Sequence, residues 1–353
     1  MIIMKTMIDV ARLAGVSQTT VSRVVNGDSR VAEATVQAVT RAMRELGYET
    51  RARRKKRGHT VFKRTFSHNV VAVVLLDTSM DVHPAMAMAK LRGVEAAVSR
   101  AGLTVALTRA QKDGEIPPTL LRPDLCGALL WGSTISLELA RQIKHLPHLW
   151  LSSYSAEENN VVLVGNEQAG RIAADYLLDQ GIERPAAICP VSSNPQYKLR
   201  IDGFHYACHI RNSPAIIIRP ATSMADELSD PQMSQIPSLI EQLVSMAPIP
   251  DGLFIPDDSL TVLVYQALAE HGIKPEQDIR IVSCDNESTY LNALHPRPAT
   301  IDLEPEATGR LAVEQLIRKL EIPNENGQVS VLINPRLIPG ERWSIPVDSA
   351  TGT

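Results

Sequence analysis

The sequence predicts a two-part protein: a small all-α helix-turn-helix headpiece followed by a larger α/β body built on parallel sheets. Three observations support this prediction. Residues 6–27 contain two short helical patterns separated by a single glycine, Gly15. The rest of the chain alternates short apolar runs with helical segments, which is typical of parallel sheets. The head also carries an excess of positive charge and the body an excess of negative charge.

The headpiece begins with two short helices joined by a turn. Thr6 can cap the first helix. The apolar residues expected to face inward from this helix are Ile8, Val10, Ala11, Leu13 and Ala14. Gly15 stands where the chain must turn sharply. Glycine suits this position because it alone takes a positive φ without strain. Ser17 can cap the second helix, and Asn26-Gly27 can close it. This order of signals predicts a helix-turn-helix, a motif whose second helix lies in the major groove of DNA.

The second helix of this motif separates an inward face from an outward one. The residues expected inward are Val21, Val24 and Val25. The outward face consists of Gln18, Thr19, Ser22 and Arg23. Gln18 and Thr19 stand at the start of the helix, the part that approaches base edges. Arg23 lies one turn further on and could pair with guanine O6 and N7.

A third helix is expected from about Ala32 to Leu46, ended by Gly47. Its apolar stripe is formed by Val36, Val39, Met43 and Leu46. Three such helices could instead form a plain bundle that binds protein or nothing, but charge argues against this alternative. Residues 1–64 contain 14 Lys/Arg and 5 Asp/Glu, a balance of +9, whereas the remainder has a balance of −12. A basic head on an acidic body is typical of a protein that binds phosphates.

The headpiece resembles that of the lactose-repressor/galactose-repressor (LacI/GalR) family of transcriptional regulators. The resemblance covers nearly all of the first 48 residues. It rests on Asp9-Val10-Ala11, Ala14-Gly15-Val16-Ser17, Thr20-Val21-Ser22-Arg23-Val24-Val25-Asn26 and Leu46-Gly47-Tyr48. It implies that Gln18, Thr19 and Arg23 read bases. It also implies that phosphates are held by Ser17, Thr20, Ser22, Asn26 and Tyr48.

Residues 51–68 depart from the family pattern. The family has a Pro-Asn start and a short hinge helix with a minor-groove Leu, whereas Thr50, Arg51 and Arg57 stand at those three positions here. Six of the seven residues 51–57 are basic. They could form a solvated flexible linker, or a cationic arm that follows phosphates or lies in a narrow minor groove. We favour the arm, because it adjoins a DNA-reading head. Its phosphate contacts would come from Arg53, Arg54, Lys55, Lys56 and Arg57.

The body extends from residue 69 to about 346 and alternates predicted strands with predicted helices. The predicted strands are 70–76, 127–131, 161–164, 186–189, 215–218, 252–255 and 279–284. The predicted helices are 84–101, 168–180, 234–247, 258–271 and 305–320. Residues 347–353 form a short tail without the heptads that would build a tetramer, so we expect a homodimer.

The body is also similar to the core of the same family, in weaker pieces that keep the family's order. The pieces include Asn166-Glu167-Gln168-Ala169-Gly170, Arg200-Ile201-Asp202-Gly203-Phe204, Ile279–Asn286, Arg297–Ile301 and Pro335–Ile338. The resemblance implies a periplasmic-binding-protein-like core of two doubly wound parallel-sheet lobes, with a ligand in the cleft. It also implies that Arg200 and Asp285 are the first candidates for hydrogen bonds to that ligand.

Further pocket candidates follow from the position of the strands. Ligands of such sheets bind outside the carboxyl ends of the strands, so charged or aromatic residues at the ends of apolar runs are candidates. Together with the two above, the set is Asp77, Trp131, Arg200, Asp257 and Asp285. Trp131 could stack on a sugar or belong to the core, and Asp257 could bind ligand or cap the next helix. Carboxylates and an arginine suit a hydroxyl-rich ligand, because charged hydrogen bonds are the strong ones.

Other classes of protein lack support in the sequence. Residues 165–171 lack the Lys-Ser/Thr pair of a phosphate loop, and no Gly-x-Ser-x-Gly occurs, so we expect neither an enzyme nor a cofactor. His205 and His209 are four residues apart but have no third ligand in the pattern, so we expect no metal. No apolar run has the length of a membrane helix and residues 1–5 are too short for a signal peptide, so we expect a cytoplasmic protein.

The sequence therefore predicts a DNA-binding transcription regulator, by resemblance a repressor. It would bind double-stranded, pseudo-palindromic operator DNA as a homodimer, because half-site symmetry mirrors protein symmetry. A small-molecule effector, a sugar or sugar-like compound, would change its affinity for the operator. The alternative is a DNA-binding protein whose core is blind to ligands.

Overall fold

The computed structural model describes residues 7–25, 31–45, 68–76, 84–110, 116–132, 135–151, 160–190, 195–220, 231–322 and 329–341. The chain divides into two compact units, Met1–Lys63 and Arg64–Thr353. Of the predicted basic linker over residues 51–68, residues 51–67 lie outside the described residues, and so does the predicted tail over residues 347–353.

The first unit contains three helices, α1 (Met7–Ala14), α2 (Gln18–Val25) and α3 (Glu33–Glu45). Their buried core consists of Val10, Ala11, Val21, Val39 and Ala42. Gly15 has a φ of 67°, as the predicted turn requires. Ser17 caps α2, because its hydroxyl accepts the Thr20 N–H at 3.1 Å. The expectation that Leu13 faces inward is wrong: its side chain is 49% exposed, because it lies beside the inward face that Val10 and Ala11 occupy.

The second unit has two lobes, and the first is built on a fully parallel six-stranded sheet. Numbered along the chain, its strands are β1 (Val70–Leu75), β2 (Thr104–Arg109), β3 (Leu125–Trp131), β4 (His148–Leu151), β5 (Val161–Val164) and β11 (Ser330–Ile333). They lie in the order β2-β1-β3-β4-β5-β11. The helices of this lobe are α4 (Pro84–Arg100), α5 (Leu137–Ile143) and α11 (Pro305–Glu321). Every residue of β1 is buried, which is typical of a parallel strand covered on both faces.

The second lobe repeats this winding. Its strands are β6 (Pro185–Ile188), β7 (Ile216–Ile218), β8 (Gly252–Phe254), β9 (Arg280–Cys284), β10 (Ala299–Asp302) and β12 (Arg336–Ile338). They lie in the order β7-β6-β8-β9-β10-β12, and β12 runs antiparallel to β10. Its helices are α6 (Asn166–Asp179), α7 (Pro195–Ile210), α8 (Pro231–Val244), α9 (Asp258–Glu270) and α10 (Ser288–Leu291). The first five strands of each sheet share one order, a repeat of fold that the residues themselves do not reveal.

The chain passes between the lobes at three short crossovers. The first, residues 164–166, connects β5 to α6, and the second, residues 302–305, connects β10 to α11. The third, residues 333–336, connects β11 to β12. Each lobe is therefore assembled from separate stretches of sequence, and the crossovers lie side by side where the stretches meet.

Glycines allow two helices to touch in each lobe. A Cβ atom added to Gly170 of α6 would lie 1.9 Å from the Arg200 carbonyl oxygen, and one added to Gly203 of α7 would lie 2.1 Å from the backbone of α6. Gly93 and Gly309 play the same part between α4 and α11, each at 2.0 Å. In the second lobe this close approach places Arg200 beside the start of α6. Among the described helices, none combines the length and apolar character that crossing a membrane requires.

Candidate functional site

The structure brings the predicted base-reading residues together on α2. Gln18, Thr19 and Arg23 are all exposed on this helix. Ser17 is exposed as well, and its hydroxyl also lies 2.9 Å from the Thr20 hydroxyl, so the two side chains hold each other at the start of α2. Ser22, another predicted phosphate contact, is half-buried. The remaining predicted phosphate contacts lie outside the described residues: Asn26, Tyr48, Arg53, Arg54, Lys55, Lys56 and Arg57.

In the second lobe, Arg200 is the centre of a buried polar cluster. Its guanidinium is 2% exposed and lies with Nη2 3.0 Å from Oδ1 of Asp285, which is equally buried. Its Nε donates to Oδ1 of Asn166 at 2.8 Å, and its Nη1 donates to the Pro256 carbonyl. These partners come from the end of β9, the start of α6 and the loop after β8. The fold thus places Arg200 and Asp285 together at the carboxyl ends of the adjacent strands β8 and β9, where ligands of such sheets bind.

Arg200 keeps its charge in this environment. Burial acts to lower the pKa of the guanidinium, but the Asp285 carboxylate and the other acidic groups around it outweigh burial and raise the pKa above its ordinary value. A buried arginine that is permanently ionised needs acceptors arranged around it, because an unpaired buried charge is costly. The cluster therefore combines one fixed cation with a carboxylate that pairs with it.

Asp285 has an unusual backbone conformation. Its φ is 109° and that of Asn286 is 55°, both in the region that side chains other than glycine avoid. The Asp285 N–H donates to the Ile301 carbonyl at 2.8 Å, and the side chain pairs with Arg200. These contacts hold a conformation that costs about 1–3 kcal/mol. Such strain is found at functional sites, where the surrounding structure imposes it.

Asp257 caps α9, one of the two roles that the sequence left open. Its Oδ1 accepts the Ser259 N–H at 2.7 Å, the contact of a helix cap. Its Oδ2 accepts the Tyr197 hydroxyl at 2.6 Å, which ties α9 to α7. Burial, and then the Asp257 charge and hydrogen bond, raise the pKa of Tyr197 well above its ordinary value. Asp257 lies beside the cluster, and a direct contact with ligand stays a prediction.

Asp258 is a buried acid whose importance the sequence did not indicate. Its carboxylate accepts hydrogen bonds from the Ser283 hydroxyl, the Thr300 hydroxyl at 3.0 Å and the Glu287 N–H at 2.7 Å. Burial and the charge of Asp285 raise the pKa of Asp258 well above its ordinary value, against the opposing effect of hydrogen bonds. The signal in the sequence for this buried acid was a hydroxyl residue within each of two apolar strands, Ser283 in β9 and Thr300 in β10. Asp258 joins those strands to α9.

Trp131 lies in the core of the first lobe. Its side chain is 5% exposed, and the ammonium group of Lys90 lies 4.5 Å from the centre of its ring. This placement favours the core interpretation over a stacking surface for a sugar. Asp77, the remaining predicted pocket residue, lies outside the described residues.

A second polar group, which sequence reasoning missed, lies at the crossovers. Asp302 accepts the Glu304 N–H at 2.8 Å, Nη2 of Arg336 at 2.9 Å and Nδ2 of Asn286 at 3.1 Å. Arg336 also pairs with the Glu304 carboxylate. These residues come from β10, β12 and the loop after β9. Their only signal in the sequence is charge at the ends of strands.

Two family models match the chain. The one described as bacterial regulatory proteins, lacI family, matches residues 6–51. The one described as a periplasmic binding protein-like domain matches residues 174–341. The first therefore covers the headpiece and the second most of the body beyond the first crossover.

Similar proteins share this organisation over almost their whole length. The ribose operon repressor of Escherichia coli (strain K12) is 27% identical over 332 residues, which are 91% of this chain and 94% of that protein. The HTH-type transcriptional repressor PurR of Aliivibrio salmonicida is 26% identical over 329 residues, 90% of this chain and 93% of that protein.

Solved structures agree in fold. The transcriptional regulator CelR in complex with cellobiose has a TM-score of 0.62 at 22% identity, and the match covers 96% of this chain and 99% of that one. The lac repressor dimer bound to operator and the anti-inducer ONPF has a TM-score of 0.62 at 20% identity, with coverage of 95% and 98%.

Proposed function

Because the chain belongs to the LacI family of bacterial regulatory proteins, we propose that it represses transcription by binding operator DNA as a homodimer. One observation carries the proposal: Gln18, Thr19 and Arg23 stand exposed on a helix that Ser17 caps and a three-helix core supports. Two such headpieces related by a two-fold axis would read the two halves of a pseudo-palindromic site. A protein that reads DNA works where the DNA is, so we place it in the cytoplasm.

Each segment of the chain has a separate function in this proposal. We assign DNA reading to residues 1–50, phosphate contact to a basic linker over 51–68, and ligand binding and dimerisation to a core over 69–346, followed by a tail over 347–353. Within the headpiece, Gln18, Thr19 and Arg23 read bases. The residues that hold phosphates are Ser17, Thr20, Ser22, Asn26, Tyr48, Arg53, Arg54, Lys55, Lys56 and Arg57. The basic linker adds non-specific attraction to the phosphate backbone of DNA.

The effector binds at the cluster around Arg200 and Asp285. Nε and Nη1 of Arg200 donate to Asn166 and Pro256, and Nη2 forms an ion pair with Asp285 at 3.0 Å, so a ligand oxygen beside this guanidinium would meet a charged donor. Asp285 and Asp257 supply acceptor oxygens nearby. Donors and acceptors in alternation suit a compound with several hydroxyl groups. The relatives support this choice, since one is named for the ribose operon and one was solved with cellobiose.

Effector binding changes affinity for the operator by favouring one arrangement of the lobes. A coupling of about 1–3 kcal/mol is typical of such switching. The cluster binds and orients the effector, and we assign no chemical step, cofactor or metal to it.

The test has two arms, because the operator and the effector are identified separately. Binding sites are first selected from random double-stranded DNA with the full-length protein. Thermal unfolding is then measured against a panel of neutral monosaccharides and disaccharides, with sugar phosphates and nucleobases as comparison classes. A ligand that binds the native state raises the unfolding midpoint as its concentration rises. We expect a neutral sugar to do so and to change affinity for the selected DNA. A protein that binds a selected site but responds to no compound would instead have a ligand-blind core.

A further inference from the structure

We propose that the three crossovers and the ligand site form one closed ring of contacts. A change in the hydrogen bonds of Arg200 therefore alters the contacts between the crossovers that join the lobes. We call this the crossover ring, and its members are Asn166, Arg200, Asp285, Asn286, Asp302 and Arg336. The role of Arg200 as a ligand contact rests on the proposed function. The ring itself rests on distances between described residues.

One side of the ring runs from Arg200 to the first crossover. The Arg200 Nε donates to Asn166 Oδ1 at 2.8 Å, and both residues are at most 2% exposed. Asn166 is covalently linked to Gly165, in the middle of that crossover. A hydrogen bond from a charged donor that is shielded from water is strong, so Arg200 and Asn166 move together.

The first and third crossovers are in direct contact. The Gly165 N–H donates to the Ile333 carbonyl at 2.9 Å. A Cβ atom at Gly165 would lie 2.9 Å from Cδ of Pro335 and 3.0 Å from the Ile333 oxygen, so the two segments approach more closely than another residue would allow. Pro335 is followed at once by Arg336, which continues the ring.

Arg336 joins the third crossover to the second. Its Nη2 lies 2.9 Å from Oδ2 of Asp302, and its Nε pairs with Glu304. Glu304 has a φ of 53°, and its N–H donates to Asp302 at 2.8 Å. The Asp302 carboxylate therefore holds both the side chain of Arg336 and the backbone of Glu304. Arg336 is 60% exposed, and a hydrated ion pair is weak enough to rearrange when the lobes move.

Asn286 closes the ring. Its Nδ2 donates to Asp302 Oδ2 at 3.1 Å, and it directly follows Asp285, the partner of Arg200. The ligand cluster thus reaches the crossovers from two directions, through Asn166 and through Asn286. A ligand that forms hydrogen bonds with Arg200 or Asp285 would therefore change the contacts of Asn166 and of Asn286 at the same time. This gives the binding energy a physical path to the joints between the lobes.

Hydrogen exchange of the full-length protein tests the ring without DNA or effector. Two amides report on it, Gly165, which donates to Ile333, and Glu304, which donates to Asp302. We expect Arg336→Gln, which removes a hydrated ion pair, to speed exchange at both amides by about two- to fivefold, and Asn166→Ala, which removes a buried hydrogen bond to a charged donor, to do so by about tenfold. The matched control is Arg310→Gln, which removes an exposed 3.0 Å ion pair to Glu314 within α11 and should change neither amide.

Two results would overturn the proposal. If Arg336→Gln speeds exchange at Glu304 but not at Gly165, the contacts do not act as a ring. If exchange at the Ile281 amide, in the core strand β9, rises by the same factor as the two crossover amides, the variants loosen the whole lobe instead. Either result leaves operator selection and ligand-induced thermal shifts untouched, so failure of the ring is distinguishable from failure of the proposed function.

Discussion

The buried pair of Arg200 and Asp285 gives the sharpest energetic prediction. Asp285→Asn keeps the size of the side chain and removes its charge, which leaves an ionised Arg200 that is 2% exposed. Removing one partner of a buried pair costs about 3–5 kcal/mol. Because an asparagine oxygen can still accept one N–H of Arg200, we expect the lower end, about 3 kcal/mol.

Removing the cation should cost more. Arg200→Met leaves the Asp285 carboxylate buried. It also removes the N–H groups that donate to Asn166 Oδ1 and to the Pro256 carbonyl oxygen. Each of these two acceptors, left buried without its donor, costs about 1–3 kcal/mol in addition to the broken pair, so we expect a loss of at least about 5 kcal/mol in all. The double variant Arg200→Met, Asp285→Asn contains neither charge. Its loss should therefore fall short of the sum of the single losses by at least about 2 kcal/mol.

The assay is urea-induced unfolding followed by circular dichroism on the wild type, the two single variants and the double variant. Arg310→Met, at the exposed pair with Glu314, serves as the control and should change the free energy of unfolding by less than about 0.5 kcal/mol. If the losses of the two single variants simply add, the two side chains do not stabilise each other as charges. In that case our account of the cluster is wrong.

Three further predictions concern the headpiece, the linker and a second buried acid. Arg23→Ala should weaken binding to the selected operator by about 1–3 kcal/mol and relax specificity at one base pair, and an equal loss on random DNA would contradict its base-reading role. Replacing Arg53, Arg54, Lys55 and Lys56 with Ala should weaken binding to all sequences and flatten the salt dependence of the binding constant, whereas an unchanged slope would show that the linker does not touch phosphate. Burial raises the pKa of Glu276 from 4.5 to about 7, although the Ile281 N–H at 2.9 Å and Arg280 oppose it. The folded protein thus binds this proton more tightly than the unfolded chain, so its contribution to stability is full below pH 4.5 and is lost as the pH rises through 7, by up to about 3 kcal/mol. Glu276→Gln cannot titrate, so its free energy of unfolding should fall less than that of the wild type between pH 5 and pH 7.5, and parallel pH profiles would refute the assignment.

Local signals in the sequence were sufficient for the headpiece. Gly15 takes the positive φ that the turn needs, and the Ser17 hydroxyl accepts the Thr20 N–H. Caps and turns depend on residues three or four positions apart, so they can be read without knowing the rest of the fold. Leu13 was misplaced because the width of the inward face is set by how the helices cross, not by the apolar pattern alone.

In the body, the apolar runs predicted seven of the twelve described strands within one or two residues. The resemblance to the family singled out Arg200 and Asp285, which the structure pairs in one buried cluster. The sequence could not indicate that Asp258 would be buried and bonded to both strands, because its partners Ser283 and Thr300 are 25 and 42 residues away. Nor could it indicate that Lys90 would cover the ring of Trp131. Such contacts exist only after the sheets have brought distant segments together.

The sequence by itself therefore determined the helix-turn-helix headpiece and the alternation of strands and helices, since these follow from periodicity, capping and short motifs, whereas Arg200 and Asp285 came from the resemblance to the family. Only the tertiary structure decided the order of the strands, the antiparallel β12 and the crossover ring. The physical reason is that these features depend on which segments become neighbours: Arg336 meets Asp302 from 34 residues away, and Arg200 meets the Pro256 carbonyl from 56 residues away. That choice is made by packing of the whole lobe, not by the residues on either side.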